Sequence, residues 1–172
     1  MATKAKTTLI NAYLELIKDN EFDKITVTNL VESCGISRQT FYYHFDDVDG
    51  MIAWAFKNGT DTICADIDYT NTKESAKRYA DFFETYDMLL VKTLNTDSFI
   101  KIYNLTKKSF ESFITRYLDG KQTAASGDET EFFVSYCSNA FAGFVTEEIQ
   151  KENRDYYPLM KKLIKSLKLF SK

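Results

Sequence analysis

Long stretches of this chain contain no residue that would interrupt a helix. The 172 residues include one proline, Pro158, and six glycines. Apolar residues recur at intervals of three and four, as Leu9, Tyr13 and Leu16 do near the start, and this spacing predicts amphipathic helices. A β-sheet protein needs turn residues at short intervals. The sequence therefore predicts an all-α fold.

Eight helices are expected, three short ones followed by five longer ones. Because the composition changes near residue 48, we expect an N-terminal domain over 1–47 and a larger helical domain over 48–172. A loop of small and polar residues is expected over 119–129. The approximate helix ranges are 4–19, 26–34, 37–45, 48–68, 73–94, 97–119, 129–152 and 157–170.

Residues 26–45, TVTNLVESCGISRQTFYYHF, predict two short helices joined by a tight turn. Thr26 and Ser37 are residue types that cap helix N-termini. Gly35 lies between the helices and can adopt the positive φ that ends a helix. Two helices joined in this way form a helix-turn-helix, whose second helix can enter the major groove of DNA.

The second of these helices begins with polar residues and ends with aromatic ones. Arg38 can pair with guanine O6 and N7, and Gln39 with adenine N6 and N7. The side chains suited to phosphate contacts, which set register without selecting sequence, are Ser37, Thr40, Tyr42 and His44. The alternative is that three helices simply pack together and that the rings form their core.

The stretch FDKITVTNLVESCGISRQTFYYHFDDVDGMI, residues 22–52, resembles the DNA-binding domain of the TetR family of bacterial transcriptional regulators. As in that family, a threonine, Thr26, opens the second helix, and a small residue and a glycine, Cys34 and Gly35, occupy the turn. The aromatic motif over 41–45 ends the recognition helix. The resemblance is strongest to the DhaS-like branch, in which RQTFYYHF also occurs.

The resemblance implies roles for individual residues of the helix-turn-helix. Arg38, Gln39 and Tyr43 match positions that face bases, whereas the other matched positions touch the sugar-phosphate backbone. The expected DNA-binding set is Thr26, Thr28, Ser37, Arg38, Gln39, Thr40, Tyr42, Tyr43 and His44. The implied function is that of a dimeric regulator that binds palindromic, double-stranded operator DNA.

Two features depart from the family pattern, Val48 and the pair Asp46 and Asp47, which stands where a proline or a neutral residue is common, and the charge of the domain is a further caution. Val48 occupies the start of the fourth helix, where the family usually has a lysine that contacts phosphate. Residues 1–52 contain five basic and eight acidic residues, a net charge of −3, although phosphate neutralisation normally supplies most non-specific affinity. These features favour the alternative function, a protein-interaction co-regulator of the same fold with weak intrinsic DNA binding.

The C-terminal domain is rich in rings, which at helical spacing pack a core more often than they line a site. The resemblance implies that this domain responds to a small-molecule effector or to a protein co-regulator. Buried tyrosine hydroxyls can orient a ligand. The candidates for such a pocket are Tyr86, Tyr103 and Tyr136, with ordinary packing as the alternative for each.

The last two helices carry apolar residues at intervals of three and four. Such stripes suit a four-helix bundle formed by two subunits, although the core of a single chain can use them equally well. The family forms its dimers through its last two helices, which favours a homodimer. The residues expected at the dimer interface are Phe144, Met160, Leu163 and Leu167.

Other classes of site lack the residues they need. The three cysteines are far apart, and His44, the only histidine, has no neighbouring acid and nucleophile in the sequence. We therefore expect no catalytic site, no metal site, no cofactor and no enzymatic activity. No window approaches the ~20 apolar residues of a membrane span. The expected location is the cytoplasm.

Overall fold

The structure, a computed structural model, describes residues 2–65, 67–119 and 126–170. Within these ranges the chain is helical and contains no strand, so the prediction of an all-α fold is confirmed. A 3-10 turn, Phe22–Lys24, separates the first two helices. The α-helices are α1 (Ala2–Asp19), α2 (Val27–Cys34), α3 (Arg38–His44), α4 (Val48–Ala65), α5 (Thr72–Thr93), α6 (Phe99–Leu118), α7 (Gly127–Ile149) and α8 (Tyr156–Phe170).

The predicted caps of α2 and α3 are present. The Thr26 hydroxyl accepts from the backbone N–H of Asn29, whose side chain accepts from the N–H of Thr26 in return. Ser37 caps α3 by accepting from the N–H of Thr40. Gly35 ends α2 with a φ of 67°. These features depend on neighbouring residues only, which is why the sequence predicted them.

Several other helix boundaries differ from the expected ones by two or three residues. The helix α7 begins at Gly127 because Ser126 caps it in a capping box with Glu129, so the expected loop over 119–129 is shorter at that end. Residues 120–125 of that loop lie outside the described residues. The helix α4 ends at Ala65, before the expected 68.

The first three helices enclose a small aromatic and aliphatic core. Leu9 and Tyr13 of α1, Leu30 of α2 and Phe41 of α3 are almost completely buried. Phe45, just after α3, contacts the rings of Phe41 and Trp54. The back of α3 is therefore fixed to the protein by its aromatic residues.

The remaining helices pack around a cluster of rings. Tyr79 of α5 stacks on Phe110 at 5.6 Å between centroids and meets Phe113 edge-on at 4.9 Å. The helix α8 runs antiparallel to α5: the hydroxyl of Tyr156 donates to Asp87, and Lys168 donates to the carbonyl of Thr70.

The apolar stripe of α8 belongs to this core. Met160, Leu163 and Leu167 are buried within the single chain, because α8 packs against α5. This corrects the expectation that they lie between subunits, and it gives them the alternative role that the spacing allowed. Phe144 of α7, in contrast, is exposed.

Two lysines connect helices that are distant in the sequence. Lys92 of α5 donates to the carbonyls of Lys18 and Asn20 at the end of α1, at 3.2 and 2.8 Å. Lys101 of α6 pairs with Asp49 of α4. None of the helices in the described ranges is both long and apolar enough to cross a membrane.

Candidate nucleic-acid interface

The helix α3 combines an exposed polar front with a buried aromatic back. Ser37, Arg38 and Gln39 are exposed to solvent, whereas Phe41 is fully buried. The first turn of α3 therefore faces the solvent, and the buried ring of Phe41 fixes the helix to the protein. This is the arrangement that a helix entering a DNA groove requires.

Two of the predicted residues from different helices are in direct contact. Arg38 Nη2 donates to Thr28 Oγ1 at 2.6 Å, across the turn between α2 and α3. The spacing of ten residues gave no local signal for this hydrogen bond. The guanidinium therefore lies beside the first turn of α2 in the free protein.

Two tyrosines of α3 are unusually exposed for their size. Tyr42 is 57% exposed and Tyr43 is 81% exposed. His44 is half-buried and meets the Tyr43 ring at 4.9 Å between centroids. Each tyrosine combines an apolar ring with a polar hydroxyl, and this combination is enriched at interfaces.

The remaining hydroxyls of the predicted set already serve the local structure. Thr26 and Asn29 form the capping box of α2. The hydroxyls of Ser37 and Thr40 lie 2.9 Å apart. Each hydroxyl oxygen has further hydrogen-bonding capacity, so capping does not prevent a phosphate contact.

The start of α4 carries three acidic residues with different surroundings. Asp47 Oδ1 accepts from the N–H of Gly50 at 2.6 Å and thereby caps α4. Asp49 pairs with Lys101, and Asp46 is exposed. Val48 is half-buried and packs against the core. Position 48, where the resemblance implies a lysine, therefore supplies no cation.

Sequence reasoning did not identify one cation near α3. Lys6 of α1 lies over the rings of Trp54 and Phe45, with Nζ 4.9 and 5.2 Å from their centroids. The contact joins the first helix to the junction of α3 and α4. Because these residues are distant in sequence, no local pattern predicted it.

The three tyrosines named as candidates for a ligand pocket have different surroundings. Tyr86 is buried against Phe56 and Phe82, and this burial raises its pKa to about 12. The hydroxyl of Tyr103 donates to the carbonyl of Asn139 at 3.2 Å. Tyr136 is 63% exposed on α7. The sequence could not place them because helical spacing does not show which helices face each other.

A cleft of about 460 Å³ lies instead between α4 and α6. Phe56, Leu105 and Ala53 contribute its apolar lining. Two buried hydroxyls also line it: Thr60 Oγ1 and Ser109 Oγ are 2.7 Å apart. Within the described ranges, no three His, Cys, Asp or Glu side chains are close enough to hold a metal ion together.

Comparisons with known proteins place the helix-turn-helix in a family. Residues 9–53 match the family described as "Bacterial regulatory proteins, tetR family". The HTH-type dhaKLM operon transcriptional activator DhaS of Lactococcus lactis subsp. lactis (strain IL1403) is 30% identical over 50 residues. That match covers 29% of this chain and only 27% of the relative.

The fold of the whole chain also has a counterpart among solved structures. The structure named "Dihydroxyacetone kinase operon activator DhaS" superposes with a TM-score of 0.76, over 96% of this chain and 95% of that one. The sequence identity is 17%, so this likeness concerns the fold. Together, the three matches relate the N-terminal helices by sequence and 96% of the chain by its fold.

Proposed function

We propose that this chain is a transcriptional regulator of the TetR family, whose model its residues 9–53 match, and that it binds palindromic operator DNA as a homodimer. We propose further that residues 1–47 bind the DNA and that residues 48–172 control this binding. The observation that carries the proposal is the exposed front of α3, held in place by the buried ring of Phe41.

In this proposal the first turn of α3 enters the major groove. Arg38 pairs with a guanine and Gln39 with an adenine, while Tyr43 packs against base edges. The hydroxyls of Ser37, Thr40 and Tyr42 donate to phosphate oxygens, as do those of Thr26 and Thr28 at the start of α2, and His44 donates through its ring N–H. The phosphate contacts set the register, and the base contacts select the sequence.

We assign the proposed dimer interface to the outer face of α7, because Met160, Leu163 and Leu167 of α8 are buried within the single chain. Phe132, Tyr136 and Phe144 are 72%, 63% and 46% exposed, and the rings of Phe132 and Tyr136 stack at 6.3 Å. Gly143 has open space beside it, so a partner helix can approach closely. Phe144 is the one residue of the expected interface that remains available.

A two-fold dimer has a consequence for the operator. Because the two recognition helices are related by the same symmetry, the half-sites must be inverted repeats. Their centres should be about one helical turn, ~34–36 Å, or a multiple of it, apart.

Control by an effector is assigned to the cleft between α4 and α6. The helix α4, which forms one side of the cleft, begins at Val48, four residues after α3 ends. A change in the distance between α4 and α6 would therefore move the recognition helix α3. The cleft is lined by apolar side chains, by the hydroxyls of Thr60 and Ser109, and by the charged residues Lys57, Asp61, Lys108 and Glu111. This mixture suits a small molecule with both apolar and polar groups. A protein co-regulator acting on the same domain is the other form of control.

The second candidate function is a co-regulator that needs a partner protein to reach DNA. The three aspartates at the start of α4 and the absence of a lysine at position 48 favour it, because they repel or fail to neutralise phosphates. In both cases the chain acts as a regulator rather than as an enzyme.

The deciding experiment measures binding of the purified protein to the DNA upstream of its own gene. The affinity for this duplex and for a scrambled duplex of equal length is measured between 50 and 300 mM salt. We expect preferential binding with a shallow dependence on salt, since few cations face the DNA. Equal and weak binding to both duplexes at every salt concentration would support the co-regulator instead.

A further inference from the structure

The hydrogen bond between Thr28 and Arg38 joins the starts of the two helices of the helix-turn-helix. Thr28 is the second residue of α2, and Arg38 is the first residue of α3. Their side chains meet with 2.6 Å between Oγ1 and Nη2. Both are accessible to solvent, so the contact lies on the surface proposed to face DNA and is not part of the core.

The hydrogen bond leaves both groups able to bind DNA. A guanidinium has five N–H donors in a fixed plane, and a guanine needs two of them. Arg38 donates one of these N–H groups to Thr28, and the other four remain available. The hydroxyl of Thr28 accepts this hydrogen bond and still has its own proton to donate to a phosphate oxygen.

The contact also restricts a flexible side chain before DNA arrives. An arginine loses considerable rotamer freedom when it is fixed against a base, and a planar guanidinium that is already oriented loses less. Thr28 lies on α2, the helix expected to cross the sugar-phosphate backbone. A phosphate contact by Thr28 would therefore fix the orientation of the guanidinium relative to the duplex.

We infer that Thr28 is a positioning residue for base recognition, which holds Arg38 in the orientation that selects a guanine. This inference rests on the proposed function, and it gives Thr28 a role beyond the backbone contact that its place in the motif implies. A residue that only contacts phosphate would affect all DNA sequences alike. A residue that orients Arg38 must change the preference at the base pair that Arg38 contacts.

The test compares the DNA sequences selected from a random library by the wild-type protein and by variants. Thr28→Val removes the hydroxyl with little change in shape, and Thr28→Ser is the matched control that keeps it. Arg38→Ala identifies the operator position that depends on the guanidinium. We expect Thr28→Val to reduce the preference at this same position about three- to tenfold, the range for loss of one hydrogen bond, and Thr28→Ser to retain it.

A double variant separates positioning from an independent contact. If Thr28 acts on base preference through Arg38, Thr28→Val should cause no further loss of preference in the Arg38→Ala background. Thr28→Ala serves as a second variant in case valine alters α2, and circular dichroism of each variant checks the fold.

Three results would overturn the inference. One is a uniform loss of affinity in Thr28→Val with the preference at every position unchanged. Another is an equal loss of preference with and without Arg38. The third is a wild-type protein that selects no sequence at all, which would overturn the proposed function together with this role, whereas the first two leave the proposed function intact.

Discussion

Two buried tyrosines differ in what their hydroxyls contact. The hydroxyl of Tyr156 donates to Asp87 Oδ1 at 2.7 Å, and Arg154 holds the same carboxylate through two hydrogen bonds. The hydroxyl of Tyr13 is buried without a hydrogen-bond partner among the described residues. Burial, followed by the charges of Asp49 and Asp23, raises the pKa of Tyr13.

Removal of the two hydroxyls should therefore change the free energy of unfolding in different ways. Tyr13→Phe removes a buried polar group that has lost its hydration, so we expect unchanged or slightly greater stability. Tyr156→Phe leaves the Asp87 carboxylate without one donor and should cost about 1–3 kcal/mol. Urea unfolding followed by circular dichroism measures both values. A clear loss of stability in Tyr13→Phe would show that its hydroxyl has a partner.

In the proposed DNA complex, substitutions of single residues should distinguish base contacts from phosphate contacts. Arg38→Ala should lose about 1–3 kcal/mol of specific binding and relax the preference at one operator position. Tyr42→Phe keeps the ring and removes one donor to phosphate, so it should weaken binding to all sequences alike. Competition binding with single-base operator variants measures the difference. Unchanged affinity and preference in Arg38→Ala would contradict the proposed docking of α3.

At the scale of elements, the turn between α2 and α3 depends on its glycine. Gly35 has a φ of 67°, and no atom lies within 4 Å of where a Cβ would be placed. The cost of Gly35→Ala is therefore conformational and should be about 1–2 kcal/mol. Thermal unfolding measures it, with Gly127→Ala at the first residue of α7 as the control, where φ is negative and a Cβ also meets no atom. Equal stability of the two variants would contradict the argument.

At the scale of elements, the sequence predicted local structure but did not predict which helices pack together. The caps of α2 and α3 and the exposed front of α3 were predictable, because each depends on residues within one turn. The partner of the α8 stripe was not predictable: a spacing of four and three shows that Leu163 faces something apolar, but not that this is α5. The lysine contacts to α1 and α4 were missed for the same reason, since Lys92 and Lys101 are more than 50 residues from their partners.

The position of α8 in the core changes what a charged substitution should do. Leu163→Glu buries an unpaired carboxylate between α8 and α5, and such a charge costs several kcal/mol. We expect loss of helical structure, not a folded monomer. Circular dichroism decides this, and Lys165→Glu on the exposed side of α8 should remain folded. A folded, monomeric Leu163→Glu protein would return this residue to the subunit interface.

For the whole molecule, the proposed dimer would link assembly to DNA binding through its two-fold symmetry. The exposed rings on the outer face of α7 form an apolar surface on a helix whose other side is packed on α6. Pairing two copies of α7 would bury these rings and fix the distance between the two recognition helices. Because each residue occurs twice in a two-fold contact, any change there is doubled.

A single charge on α7 should consequently separate the subunits without unfolding them. Phe144→Glu replaces an exposed ring, so the isolated chain should keep its helical content, while two carboxylates would be brought together in the apolar contact between subunits. We expect a monomer by sedimentation and a loss of operator binding, although residues 37–45 are untouched. Ile100→Glu, at an exposed apolar residue of α6, is the matched control and should remain a dimer. A Phe144→Glu protein that still sediments as a dimer and binds its operator would exclude this face of α7 as the interface.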